Sequence, residues 1–125
     1  MLLRFTALLL LLALLAACNS NSSPPKPTLS PLENRGRSVF DSYCSRCHAA
    51  SGDAVVVGPS LAGIATRGGK RIEGMNAQAY IRDSILNPNA YMVEGFPEGL
   101  MPLNLKDEMS PEELDAVVAY LLTLK

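Results

Sequence analysis

Cys44-Ser45-Arg46-Cys47-His48 is the stretch on which the rest of the chain turns. On a helical turn, residues three and four apart share a face. Two thiols and an imidazole at this spacing can therefore converge on one object. His48 is the only histidine of the 125 residues, and the one cysteine outside the motif is Cys18. A redox dithiol of the thioredoxin type needs its Cys-x-x-Cys beside a β-α-β pattern, and no alternating strand pattern of useful length occurs here. A structural zinc site wants four ligands, and beyond Cys44, Cys47 and His48 no fourth Cys or His follows Cys18. A structural disulfide leaves His48 without a role.

Cys-x-x-Cys-His is also the pattern of covalent c-type haem attachment. Two thioether bonds would fix the porphyrin rim, and His48 would reach the iron from one side. With His48 committed, the other axial ligand has to be a different residue type. Cysteine parity agrees with this reading: an odd count in an exported protein needs a reason, and none is left over if Cys18 is modified.

Outward from the motif, helix signals occur in three places. Ser30-Pro31-Leu32-Glu33 is a capping box with Pro at the first helical position. Behind it Leu32, Gly36, Val39, Phe40 and Tyr43 fall on one helical face and lead into Cys44. Asn76 caps a second helix, with Met75 and Tyr80 as a hydrophobic staple, Ile81, Ile85 and Leu86 following, and Asn87-Pro88 as its stop. Ser110-Pro111-Glu112-Glu113 is a second capping box, stapled by Met109 and Leu114. Leu114, Val117, Val118, Leu121 and Leu122 form its apolar face. Residues 49–75 and 88–109 are rich in Gly and Pro and read as loops, with a short hairpin expected around Arg67 to Glu73. The expected fold is all-α: three main helices and long loops. Loops of this length are uncommon in an ordinary domain and make sense if they wrap a large apolar group.

The amino-terminal part is of a different kind. One positive charge, an apolar run and small residues over positions 1–17 read as an export signal. Its ending, Leu15-Ala16-Ala17-Cys18, resembles the bacterial lipobox, which implies a lipidated Cys18 after cleavage of the signal. An ordinary signal cut at an Ala-x-Ala-like site and a short uncleaved anchor are the competing readings. Acyl chains contribute about 0.8 kcal/mol per buried methylene, so a multiply acylated cysteine would stay attached to a membrane. Residues 18–30 are polar and proline-rich and read as a flexible linker, holding the domain at 31–125 some 35 Å (about 3.1 Å per residue) from the lipid. The hydrophobic fraction of 48% is inflated by the signal, and the net charge of −1 with no basic stripe argues against a nucleic-acid partner.

The domain from Gly36 to Leu124 resembles the class I cytochromes c, which are single-haem, mostly helical and His/Met-ligated. The matching pieces are the motif at 44–48, Gly58-Pro59-Ser60-Leu61, Met101-Pro102 and the closing helix from Ser110 to Leu121. The resemblance implies one covalently bound haem c with His48 and Met101 on the iron. It also implies that the Pro59 carbonyl takes the hydrogen bond of the other imidazole nitrogen, a contact that orients the ring. Met75, Met92 and Met109 compete with Met101. Staples account for Met75 and Met109, while Met92 lies in the same loop only nine residues earlier. The run Tyr80 to Pro88 with Gly95-Phe96 and Met101-Pro102 is similar to the cytochrome domain of haem–copper oxidase subunit II. It is also similar to monohaem lipoprotein subunits of respiratory complexes such as alternative complex III. The copper-binding domain and transmembrane helices of the oxidase fusion are not expected here, so a separate carrier or subunit is implied.

A haem with both axial positions filled offers no site for substrate, and Met ligation raises its potential. The expected function is therefore electron transfer, not catalysis, by a lipid-anchored protein facing the periplasm, with redox proteins or a membrane respiratory complex as partners. The alternative is a five-coordinate haem protein with peroxidase or ligand-binding activity. A third reading is a lipoprotein without haem whose cysteines form a disulfide.

Overall fold

The computed structural model describes residues 28–125. The export signal, Cys18 and the linker as far as position 27 lie outside the described residues. The chain runs through α1 (Pro31–Tyr43), α2 (Ile64–Arg67), a 3-10 turn (Gly68–Lys70), α3 (Ala77–Leu86), α4 (Leu105–Glu108) and α5 (Pro111–Leu121). No strand occurs among the described residues, so the fold is all-α.

Local chemistry starts the three long helices. The Ser30 hydroxyl accepts from the Glu33 N–H at 3.3 Å, while the Ser30 N–H donates to Glu33 Oε2 at 2.6 Å. Ser110 and Glu113 repeat the exchange at 3.2 and 2.9 Å. Asn76 Oδ1 accepts from the Ala79 N–H at 2.8 Å. Each cap satisfies N–H groups that the first helical turn leaves without partners.

The termini of the domain meet where α1 crosses α5. At Gly36 the backbones touch: a Cβ there would lie 1.9 Å from the Ala116 carbonyl oxygen and 2.8 Å from Tyr120 Cβ. Flanking the crossing, the Phe40 and Tyr120 rings pack with centroids 5.6 Å apart and planes tilted by 58°. Val117 and Val118 are almost wholly enclosed, and Ile81, Ile85, Leu105, Met109, Leu114 and Leu121 complete the core. The Arg82–Asp115 ion pair joins α3 to α5 on the surface.

Three expectations are corrected. Leu32 is 51% exposed, and Leu29, ahead of the cap, packs on the core instead. The segment expected as a hairpin at 67–73 is helical as far as Lys70 and then a turn, because its hydrogen bonds are short-range: the Arg67 N–H reaches the Gly63 carbonyl at 3.1 Å and the Arg71 N–H reaches Gly68 at 3.3 Å. Gly68 in that segment lies against Tyr80 and Ala77, where a Cβ would be 3.1 Å from the tyrosine ring. The stretch 88–109 is not all loop, since α4 forms one turn that places Leu105 in the core.

Candidate functional site

The motif begins where α1 stops. The N–H groups of Cys44 and Ser45 both donate to the Phe40 carbonyl, at 2.8 and 3.0 Å. Cys44 is thus the helix C-cap, and the motif occupies a turn beyond α1 instead of the helix body. Helical spacing nonetheless persists, because the N–H groups of Cys47 and His48 both donate to the Cys44 carbonyl, at 3.0 and 2.9 Å.

The chain then loops out and returns. Val57 and Gly58 donate to the Cys47 carbonyl at 3.2 and 2.9 Å, and Leu61 donates to Ala49 at 2.8 Å. Ser60 pins the loop's interior by donating to the Gly52 carbonyl at 2.6 Å. The return brings the Pro59 carbonyl oxygen to 2.7 Å from His48 Nδ1. A carbonyl only accepts, so Nδ1 carries a proton and Nε2 is the nitrogen left to bind a metal. Gly58 lies flat against the imidazole: a Cβ there would be 2.5 Å from Cε1 and 3.0 Å from Nδ1.

His48, Cys47 and Pro59 line a large open cleft of about 1270 Å³, counting the space open to solvent. Its interior includes Ile64, Ile81, Ile85, Leu105 and Leu121, and the loop between α3 and α4 contributes Met92 and Met101. Met101 is half-buried against the core, and Met92 is 40% exposed. Met75 and Met109 do not line this cleft; both pack on the core. No Asp or Glu lines it either.

Cys44 sits differently from Cys47. It packs at the edge of the core rather than on the cleft wall. Burial foremost, then proximity to Cys47, pushes its thiol up to about 11. Redox-active dithiols depend on a lowered thiol pKa, so this environment speaks against that chemistry. Among the described residues no group of three His, Cys, Asp or Glu side chains is placed to hold a metal ion, which speaks against a zinc site.

Arg67 is a cleft residue that the sequence did not single out. Its guanidinium donates to the carbonyls of Ser60 and Ala62, so it holds the loop that carries Pro59. Burial, and after it the nearby Arg71 charge, lower its pKa from the usual arginine value. Arg71 lies over the Tyr91 ring at 5.6 Å, and Tyr91 meets Tyr80 edge-on at 5.6 Å. The only sequence signal for these roles was the run of cations from Arg67 to Arg71 inside a Gly-rich stretch.

Residues 33–125 match the family model for cytochrome c, and the chain belongs to the cytochrome c family. It is 30% identical over 99 residues to cytochrome c oxidase subunit 2 of Alkalihalophilus pseudofirmus, an alignment covering 75% of this chain and 26% of that protein. It is 34% identical over 94 residues to the CcoP subunit of the cbb3-type cytochrome c oxidase of Rhodobacter capsulatus, covering 73% of this chain and 30% of that protein. The chain thus spans less than a third of either relative.

The family implies haem c, and the cleft suits it. The apolar interior accepts a macrocycle, the imidazole nitrogen not bonded to Pro59 is available to a metal, and soft thioether sulfurs share the cavity.

Proposed function

We propose that this protein is a membrane-anchored electron carrier, or electron-transfer subunit of a respiratory complex, with one covalently bound haem c. The observation that carries the reading is the placement of His48, its Nδ1 bonded to Pro59, in one apolar cleft with Met92 and Met101. Cys44 and Cys47 would hold the macrocycle by thioethers, His48 Nε2 would bind the iron from one side, and the Met101 sulfur would bind it from the other. When bound, the haem supplies a one-electron couple between ferric and ferrous iron.

The protein's own part is to keep that couple apart from water and substrate. Pro59 fixes which imidazole nitrogen carries the proton and orients the ring. Apolar side chains of α3, α4 and α5 exclude water, and the cations Arg46, Arg67 and Arg71 on the cleft offer counter-charges to the macrocycle's carboxylates. With no carboxylate on the cleft and the lone histidine committed, the side chains most often used as general acid or base are not free there. This favours electron transfer over a peroxidase-like role.

The anchor rests on positions 1–18. Among the described residues no helix is long and apolar enough to cross a membrane, and the Cys18 lipobox would attach the domain to the extracytoplasmic face. The relatives' names, both oxidase subunits, support a respiratory complex as partner.

The test is purification from detergent-solubilised membranes. The expected result is a haem-staining chain with acylated Cys18, a low-spin six-coordinate spectrum and reversible one-electron redox. Cys18→Ala should release the domain with its spectrum unchanged. A residue 18 found unmodified and still joined to the signal would sink the anchor, and a high-spin iron open to peroxide would sink the carrier.

A further inference from the structure

The loop from Pro88 to Asn104 carries both Met92 and Met101, and it is not a free tether. Asn89 Oδ1 accepts from the Gly99 N–H at 3.2 Å, and Asn89 Nδ2 donates to Glu98 Oε1 at 3.1 Å. One side chain therefore closes the loop at a neck two residues before Met101. Gly99 takes φ 77° to bring its N–H to Asn89, a conformation that side chains disfavour. Inside the neck Tyr91 is held between the Arg71 guanidinium and the Tyr80 ring, and the Phe96 N–H closes a turn on Val93 at 3.0 Å. Beyond the neck the next fixed point is Leu105, buried at the start of α4.

We infer that Asn89 is a positioning residue for the sixth iron ligand: its clasp on Gly99 and Glu98 confines Met101 near the iron. This rests on the reading that Met101 is that ligand. With the clasp closed, Met101 hangs on the short segment from Gly99 to Leu105. With it open, the next restraint upstream is Tyr91, and the unpinned segment becomes roughly two and a half times longer. Effective concentration falls as about the three-halves power of length, so the sulfur's local concentration at the iron drops about fourfold. Asn89 lines the rim of the same cleft, but its side-chain bonds run to Gly99 and Glu98, so it acts on the ligand through the chain.

The test is titration of the ferric holoprotein with imidazole, which competes with the thioether for the iron. Asn89→Ala is expected to bind imidazole about fourfold more tightly than the parent, with the haem still covalently attached. Asn89→Asp combined with Glu98→Gln exchanges the donor and acceptor roles across the second bond and keeps the acceptor for Gly99. This double variant is expected to restore the parent affinity, which a merely destabilised loop would not do. Met101→Leu serves as the reference and is expected to bind imidazole far more tightly than either. If Asn89→Ala titrates like the parent while Met101→Leu does not, the clasp is overturned and the ligand stands. If the double variant titrates like Asn89→Ala, the clasp is likewise overturned. If Met101→Leu itself leaves the titration unchanged, the ligand reading falls and takes the inference with it.

Discussion

A Cβ added to Gly36 would sit 1.9 Å from the carbonyl oxygen of Ala116, which makes the crossing of α1 and α5 a contact between backbones. Alanine would gain about 1 kcal/mol of helix propensity over glycine. Against that, the obstructing atom belongs to a helix backbone and cannot swing aside, and overpacking of this kind costs about 3 kcal/mol. The clash wins. Gly36→Ala should lower the Tm of the haem-loaded protein by roughly 10 °C. An unchanged Tm would mean that the helices part at no cost.

The imidazole of His48 has a similarly tight neighbour in Gly58, where a Cβ would lie 2.5 Å from Cε1. Gly58→Ala should turn the ring away from the Pro59 carbonyl, and the haem-loaded yield should fall with it. Pro59→Ala is the contrasting variant, because it keeps the carbonyl that accepts from Nδ1. Its spectrum should match the parent's. Equal behaviour of the two variants in yield and spectrum would contradict the part assigned to the ring's orientation.

The first cap makes a pH prediction. The Ser30 N–H, and secondarily the Ser30 hydroxyl, hold the Glu33 carboxyl below its usual 4.5. A carboxyl depressed in the folded state stabilises the fold fully above its unfolded pKa, and that contribution is lost as pH falls through the folded value. Glu33→Gln should therefore flatten the acid limb of the stability curve below pH 4.5. At neutral pH, Ser30→Ala should cost about 1 kcal/mol by removing the cap. Acid limbs that superimpose for Glu33→Gln and parent would rule out the contribution of this cap.

What could be read from the sequence follows how local each determinant is. Ser30, Asn76 and Ser110 were legible as caps because a cap is decided within four residues. The one-turn helices α2 and α4 were not, for neither has a side-chain cap. They are held from afar, α2 by the Ala65 N–H bonded to the Leu124 carbonyl at 3.1 Å and α4 by burial of Leu105. The same division runs through the site. Cys44, Cys47 and His48 announce themselves by spacing, whereas the bonds of Arg67 to Ser60 and Ala62, and of Asn89 to Gly99, exist only once the loops are folded. Leu32 was misplaced because helical periodicity alone does not say where the partner helix ends.

The sharpest choice at the iron is between two methionines that share the cleft. Met101 is half-buried against the core and is followed by Pro102, whereas Met92 is 40% exposed. A buried thioether loses less freedom on binding a metal than one that samples solvent. Sulfur is soft and neutral and favours ferrous iron over what nitrogen ligands would allow. With Met101 as ligand, the ferric protein should show the weak sulfur-to-iron band near the red end of the spectrum. Met101→Leu should abolish the band, open the iron to cyanide or carbon monoxide, and lower the potential once water or a nitrogen base replaces sulfur. Met92→Leu should change none of these, because it trades one apolar side chain for another of similar volume, at a cost below about 1.5 kcal/mol. Loss of the band in Met92→Leu with its retention in Met101→Leu would reverse the assignment while leaving the carrier intact. Retention in both would remove both methionines from the iron and return the five-coordinate reading to contention.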